Sequence, residues 1–218
     1  MVTFKHENLI CERFVLGPME VNTYLVYDKD SSDALLVDPA EQSQQLLSRI
    51  QKLDLKIKGI FLTHGHADHI YGVEFFRKKT DAPVLISQAD APMLEDANLN
   101  LSNFIGESII LDPAEKLLKD GDNITIGNYE GQFSQVEGHT PGGLILIFDG
   151  IVISGDTLFA GSIGRSDFPG GDGRQLIEDI KNKLFSLSDR QVLPGHGPET
   201  TISEEKANNP FFSAEFTV

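Results

Sequence analysis

The chain has 218 residues and carries 33 acidic against 18 basic side chains, a formal charge of −15. That balance argues against nucleic acid as a partner, because phosphate binding needs clustered Lys and Arg to displace counterions; the basic run Arg77-Lys78-Lys79 fits a solvated turn at a helix C-terminus. No apolar stretch approaches the ~20 residues that span a bilayer, and the first eleven residues lack a signal peptide's apolar centre, so the expectation is a cytoplasmic protein with no membrane partner.

In chain order, the first forty residues read as β. Residues 8–14 and 21–27 are rich in β-branched and aromatic types and are separated by the turn signal Gly17-Pro18. A short apolar run at 34–37 stops at Asp38-Pro39. Leu46, Leu47, Ile50 and Leu53 recur at helical spacing and predict an amphipathic helix over 42–53. Residues 57–62 read as a buried strand ending at Thr63-His64-Gly65-His66. A second helix is expected to start near Asp68 and to turn Ile70, Val73, Phe75 and Phe76 inward, followed by a strand at 83–86. Such alternation implies layered α/β architecture with right-handed crossovers.

Residues 88–116, with Pro92, three Asn and Gly106, read as a small helical insert or a functional lid, with a plain surface excursion as the alternative. Strands resume at 124–126, 132–136, 144–148 and 151–153, the last two joined by Asp149-Gly150, a type I′ hairpin signal. Leu176, Ile177, Ile180 and Leu184 mark a helix over 174–185. A strand at 191–193 ends at Pro194-Gly195-His196-Gly197-Pro198, and Thr201 with Glu204 is a capping box for a last short helix. With no linker and no repeat, residues 1–218 read as a single domain. Cys11 is the only cysteine, which rules out an internal disulfide and a thiolate-rich metal site.

The chemistry concentrates in the histidines. Three of the six, His64, His66 and His69, fall within six residues together with Asp68. His139, Asp156 and His196 each stand in a glycine-flanked turn just after a predicted strand. Strand ends deliver such side chains to one rim of a sheet. Crowded imidazoles repel one another when protonated, and a shared metal removes that conflict. Imidazole suits zinc and iron, a carboxylate can span two ions, and two ions about 3.5–4 Å apart can clamp one hydroxide.

His64-Gly65-His66-Ala67-Asp68-His69 followed by His139, Asp156 and His196 resembles the metallo-β-lactamase superfamily, whose α/β fold is a four-layer αβ/βα sandwich. The phrases Gly155-Asp156-Thr157-Leu158-Phe159, Gly164-Arg165-Ser166-Asp167-Phe168-Pro169 and Pro194-Gly195-His196-Gly197-Pro198-Glu199-Thr200 are similar to the short, type II branch of glyoxalase II-like hydroxyacylglutathione hydrolases. The similarity runs from Asn22-Thr23-Tyr24 to Asn209-Pro210-Phe211. It implies two divalent metal ions per chain, zinc first, with iron or manganese as alternatives. His64, His66 and His139 would hold one, Asp68, His69 and His196 the other, with Asp156 bridging. Asp38 is similar to a residue near this site in relatives; a turn former before Pro39 explains it equally well.

The implied reaction is hydrolysis of a small thioester or related ester, S-lactoylglutathione first, by a metal-bridging hydroxide whose proton passes to Asp68. Arg165 either contacts an anionic substrate or pairs with Asp167 or Asp172. The expected partner is this small molecule, with the chain a monomer or small homo-oligomer. Full-length glyoxalase II enzymes add a helical C-terminal domain whose basic residues help hold glutathione. Here Lys206 is the only basic residue among the last twenty, so other thioesters and esters stay open. Persulfide dioxygenases, with one iron, resemble the sequence too. A third reading is a non-enzymatic metal-binding scaffold. A true β-lactamase fits less well, because many place cysteine where Asp156 stands.

Overall fold

The structure, a computed structural model, describes residues 2–213. Four strands open the chain as an antiparallel meander: β1 (Val2–His6), β2 (Leu9–Leu16), β3 (Val21–Asp28) and β4 (Asp33–Val37). β1 has no counterpart in the sequence reading. Lys5 and His6 interrupt its apolar pattern, and it forms by pairing with all five residues on the edge of β2. Three parallel strands extend the sheet: β5 (Lys56–Phe61), β6 (Val84–Ser87) and β7 (Lys116–Leu118). Their crossovers carry α1 (Gln44–Lys52), α2 (Ala67–Ile70) and α3 (Val73–Thr80). Ser43 caps α1 by accepting from the Leu46 backbone N–H.

A second, six-stranded sheet holds β8 (Asn123–Ile126), β9 (Tyr129–Gln135), β10 (Leu144–Ile147), β11 (Ile151–Gly155), β14 (Gln191–Pro194) and β15 (Thr200–Thr201), in the order β15-β14-β11-β10-β9-β8. Between β11 and β14 come a small hairpin, β12 (Leu158–Phe159) with β13 (Ser162–Ile163), and α4 (Gly173–Asp179). α5 (Ile202–Asn208) follows β15. Thr201 Oγ1 accepts from the Glu204 backbone N–H, the cap expected from the sequence.

Strand alternation explains the layering. In β4, Leu35 and Val37 face the second sheet, while Ala34 and Leu36 face α1 and α3. In β10 and β11, Leu144, Leu146, Ile151 and Ile153 enter the same central core, and Ile145 and Val152 face α4 and α5. Three apolar cores therefore separate four layers, an αβ/βα sandwich, as expected. Phe61 and Phe133 meet across the middle with ring centroids 4.8 Å apart. Cys11 is buried in this core, which pushes its thiol up to about 12.

Four local expectations change. The second helix breaks into α2 and α3 at Gly72, whose N–H donates to Pro39 O at 2.7 Å; Val73 and Phe76 are buried, but Phe75 stays on the rim. The helix over 174–185 is α only to Asp179 and continues as a π-turn, Ile180–Leu184. At Asp149-Gly150 only Gly150 takes a positive φ, so the hairpin forms without a type I′ turn. Arg77 is not solvated: it bonds Glu74 and Glu115 and the carbonyls of Asp112 and Pro113, tying down the segment before β7.

Residues 88–116 are a small helical insert rather than a plain surface excursion. Two 3₁₀ turns, Ala91–Glu95 and Ser102–Phe104, fold them over the end of the first sheet, and Lys116–Leu118 closes its edge.

Candidate metal centre

All seven residues expected from the sequence meet at one end of the sandwich. His64 follows the end of β5, His66 caps α2, and Asp68 and His69 lie within it. His139 lies between β9 and β10, Asp156 follows β11, and His196 follows β14. The strand ends of both sheets thus supply the set. Gly155 makes the turn at Asp156, with φ 49°, and a Cβ there would lie 2.5 Å from Thr63 Oγ1.

Their donor atoms group as His64, His66 and His139, then His64, His69 and Asp156, then Asp68, His69 and His196, each within 4.8 Å. The first and third groups are the two sets implied by the resemblance, and Asp156 stands between them. Its Oδ1 lies 3.5 Å from His69 Nε2, and its Oδ2 lies 3.7 Å from His139 Nε2 and 3.6 Å from His196 Nε2. His6 lies apart, 3.7 Å from Asp149.

The orientation of the rings tests whether a cation fits. His69 Nδ1 is 2.9 Å from Asp38 Oδ2, His139 Nδ1 is 2.7 Å from Arg165 O, and His196 Nδ1 is 3.0 Å from Met19 O. Each of these acceptors takes the proton on Nδ1, which in the neutral ring leaves Nε2 bare to meet a cation. His64 Nδ1 is 3.1 Å from Thr63 Oγ1, whose own hydroxyl donates to Asp38 Oδ2 at 2.7 Å. The bare nitrogens then face one another: His64 Nε2 and His139 Nε2 at 3.3 Å, His69 Nε2 and His196 Nε2 at 3.4 Å. His66 Nδ1 lies 3.0 Å from His139 Nε2. Lone pairs aimed at lone pairs repel unless a cation sits between them. A tetrahedral ion with bonds of about 2.0–2.1 Å holds its nitrogen donors roughly 3.3 Å apart, so the spacing fits. Asp156 Oδ1 is buried without a hydrogen-bond partner, which fits a carboxylate oxygen that would ligate a cation.

Electrostatics separate the two halves. Burial, followed by the neighbouring imidazoles, holds His64 well below its usual range, and burial followed by His139 takes His66 down to about 3. Burial also lowers His139. Around His69 burial opposes charging, but Asp68, Asp156 and Asp38 outweigh it and raise the imidazole to about 10. The three carboxylates around His69 thus make this half of the cluster favourable to positive charge. Asp68 is kept well below the usual carboxylate range: burial opposes this, and His69 and His196 overcome it. The short α2, four residues, adds little dipole to this effect.

Three supporting residues escape the sequence reading in whole or part. Asp38, at φ 46°, is a hub rather than a simple turn former. It accepts from Thr63 N and Oγ1 and from His69, so it orients His69 directly and His64 through Thr63. Asp90 accepts from Thr140 Oγ1 and Gly142 N, both at 2.7 Å, fixing the loop that carries His139. Burial raises its carboxyl to about 6, with the Thr140, Gly142 and Gly65 hydrogen bonds opposing. Asn100 O accepts from Ala67 N at 2.8 Å, while its amide donates to Met93 O and Ile109 O. These are outer partners that fix ligand-bearing segments. A lone Asp or Asn in an irregular segment gives no such signal.

A cavity of about 650 Å³ opens over the cluster, walled by Met19, Leu101, Phe104, Ile105, Phe159 and Phe168 besides the polar groups. Arg165 lines it and is engaged by Asp167 through two bonds of 2.8 Å, not by Asp172, which caps α4.

Comparison with known proteins agrees with this geometry. The chain is 36% identical over 92% of its length, and 96% of the relative's, to a probable metallo-hydrolase, YqgX, of Bacillus subtilis. It is 34% identical to the hydroxyacylglutathione hydrolase GloC of Haemophilus influenzae, covering 89% of this chain and 93% of that one. Among solved structures, the BLEG-1 B3 metallo-β-lactamase superposes with TM-score 0.88 at 35% identity, covering 94% of this chain and all of that one. TTHA1623 in a di-iron-bound form gives 0.81 at 34%, covering 92% and 100%, and ETHE1 from Myxococcus xanthus gives 0.76 at 30%, covering 92% and 83%. Residues 16–196 match the family model of the metallo-β-lactamase superfamily, and with the layered fold and histidine cluster already in place, the chain belongs to that superfamily.

Proposed function

We propose that the protein is a metal-dependent hydrolase acting on a small thioester or related ester, with two divalent ions per chain, zinc or iron. The observation that carries this reading is the convergence of bare imidazole nitrogens on two adjoining points with Asp156 between them. Kinship to GloC supports thioesters as the class and S-lactoylglutathione as the first substrate to offer. When bound, two such ions supply Lewis acidity and lower the pKa of water toward neutrality.

The chain's own residues supply the rest. His64, His66 and His139 would hold one ion, and Asp68, His69 and His196 the other. Asp38 keeps the protons of His69 and, through Thr63, of His64 on their outward nitrogens. Asp68 lines the cavity with Oδ2 3.4 Å from His196 Nε2, ionised, and is placed to take a proton from attacking water. Met19, Phe104 and Phe168 give the cavity an apolar lining beside the reacting bond. A thiolate leaves without much protonation, which suits a cavity with no separate general acid.

Elemental analysis of purified protein, paired with turnover of S-lactoylglutathione and simple thioesters, tests the reading. Two ions per chain and metal-dependent thioester cleavage are expected. One iron per chain, with oxygen uptake on glutathione persulfide and no hydrolysis, would establish the dioxygenase alternative instead. Likeness to BLEG-1 makes a β-lactam the second substrate class to include.

A further inference from the structure

The cavity over the histidine cluster has a largely apolar wall. Of the large apolar side chains left exposed, Met19 (56%), Phe104 (78%) and Ile105 (60%) cluster at its mouth. Exposed apolar groups gathered beside a reactive centre mark a binding surface more often than chance. They are also held in place. Leu101 sits at φ 69°, in the left-handed region that bulky residues avoid, and starts the 3₁₀ turn bearing Phe104. Asn100 locks that turn from below, accepting from Ser102 N at 2.9 Å and from Ala67 N between His66 and Asp68. The apolar wall is thus tied to the segment carrying the metal-binding groups.

Charge points the same way. Arg165 is the only Lys or Arg among the described residues lining this cavity. Its guanidinium is matched by Asp167 and lies 3.7 Å over the Phe168 ring, so it contributes mostly a flat face. The adjoining cavity of about 410 Å³ shares Met19, Ala67, Asp68 and Ile105, and its charged residues beyond Asp68 are acids, Glu41 and Glu107. A glutathione thioester brings two carboxylates and one ammonium to this rim, and no unmatched cation lines the wall to receive the carboxylates.

Resting on the hydrolase reading above, we infer that the preferred substrate is a neutral thioester or ester with an apolar acyl chain, seated against Met19, Leu101, Phe104 and Ile105. Glutathione conjugates would be poorer substrates. Burying one methylene is worth about threefold to fourfold in affinity.

Two measurements test this. In the first, the metal-loaded protein is given S-acyl-N-acetylcysteamine thioesters from acetyl to octanoyl, beside S-lactoylglutathione. The expected kcat/KM rises about threefold per methylene before levelling off, exceeds that for S-lactoylglutathione at octanoyl, and rises less steeply in Phe104→Ser. In the second, metal-free protein is titrated with 2-pentanone, 2-heptanone and 2-nonanone while the methyl signals of Met19 and Ile105 are followed by NMR. Shifts at those methyls with Kd tightening along the series are expected. A flat or falling thioester series, ketone shifts elsewhere, or S-lactoylglutathione as the best substrate would overturn the inference. Ketones that bind as expected while no ester is cleaved would leave the apolar site standing and remove the hydrolase reading instead.

Discussion

Asp38→Asn separates the orienting carboxylate from every other property of its position. Asp38 is 1% exposed and accepts three hydrogen bonds: from Thr63 N at 2.8 Å, Thr63 Oγ1 at 2.7 Å and His69 Nδ1 at 2.9 Å. The amide oxygen of Asn can keep the first. Its NH₂ would then face two donors. The Thr63 hydroxyl can rotate, but His69 can escape only by moving its proton to Nε2, the atom that must stay bare. Outer partners of this kind are worth 10–100-fold in metal affinity, so a loss of about 30-fold is expected, roughly 2 kcal/mol. Exchanging a buried charge-assisted bond for opposed donors costs about 2–3 kcal/mol of stability, which lowers Tm by about 4–12 °C for a chain of this size. Backbone strain does not confuse the result, because Asn accepts φ 46° as readily as Asp; Asp38→Ala adds about 1 kcal/mol of strain and should melt lower still. Chelator competition gives the affinity, and melting of the metal-free protein gives the stability. An Asn variant that binds metal within about threefold of the native protein would refute the orienting role assigned from the geometry.

Asp156→Ala should abolish turnover and metal retention with the sheet signal in circular dichroism intact. Near-native rates would contradict the bridging assignment. Gly195→Ala places a methyl 2.2 Å from Asp156 Oδ1 and 2.9 Å from His69 Cε1, at a position where φ itself is not positive. Metal affinity should fall at least about tenfold, and chelator competition at the native value would show that the cluster yields freely. Glu12, buried in β2, accepts from Arg49 and from Tyr27 Oη at 2.8 Å; burial opposes ionisation, but these partners hold its carboxyl below the usual range. Its folded pKa is thus below its unfolded one. The stabilisation is complete above roughly pH 4.5 and is lost as pH falls through the depressed value. Glu12→Gln should cost about 1–3 kcal/mol at pH 7 and flatten the urea-midpoint profile between about pH 5 and 3; an unchanged profile would exclude Glu12 as its source.

The chain order of elements was legible because its signals are local. Periodicity marks α1 and the strands of both sheets, and Thr201 with Glu204 marks α5. Weak local patterns failed in the expected way. β1 exists through pairing with β2, and β7 begins where the irregular stretch ends, with its ladder supplied by the neighbouring strand β6. The break at Gly72 depends on Pro39, distant in sequence.

The amino-acid sequence by itself singled out the candidate donor set, because imidazole and carboxylate at His64, His66, Asp68, His69, His139, Asp156 and His196 are chemically distinctive wherever they stand. Tertiary structure alone decided which nitrogen of each ring faces the centre, since that choice belongs to acceptors such as Arg165 O, Met19 O and Asp38. It also decided what surrounds the reacting bond. An apolar residue such as Phe104 carries no sign in sequence of whether it will fill a core or stand exposed at the mouth of a cavity, because burial is a property of the packed chain rather than of the side chain.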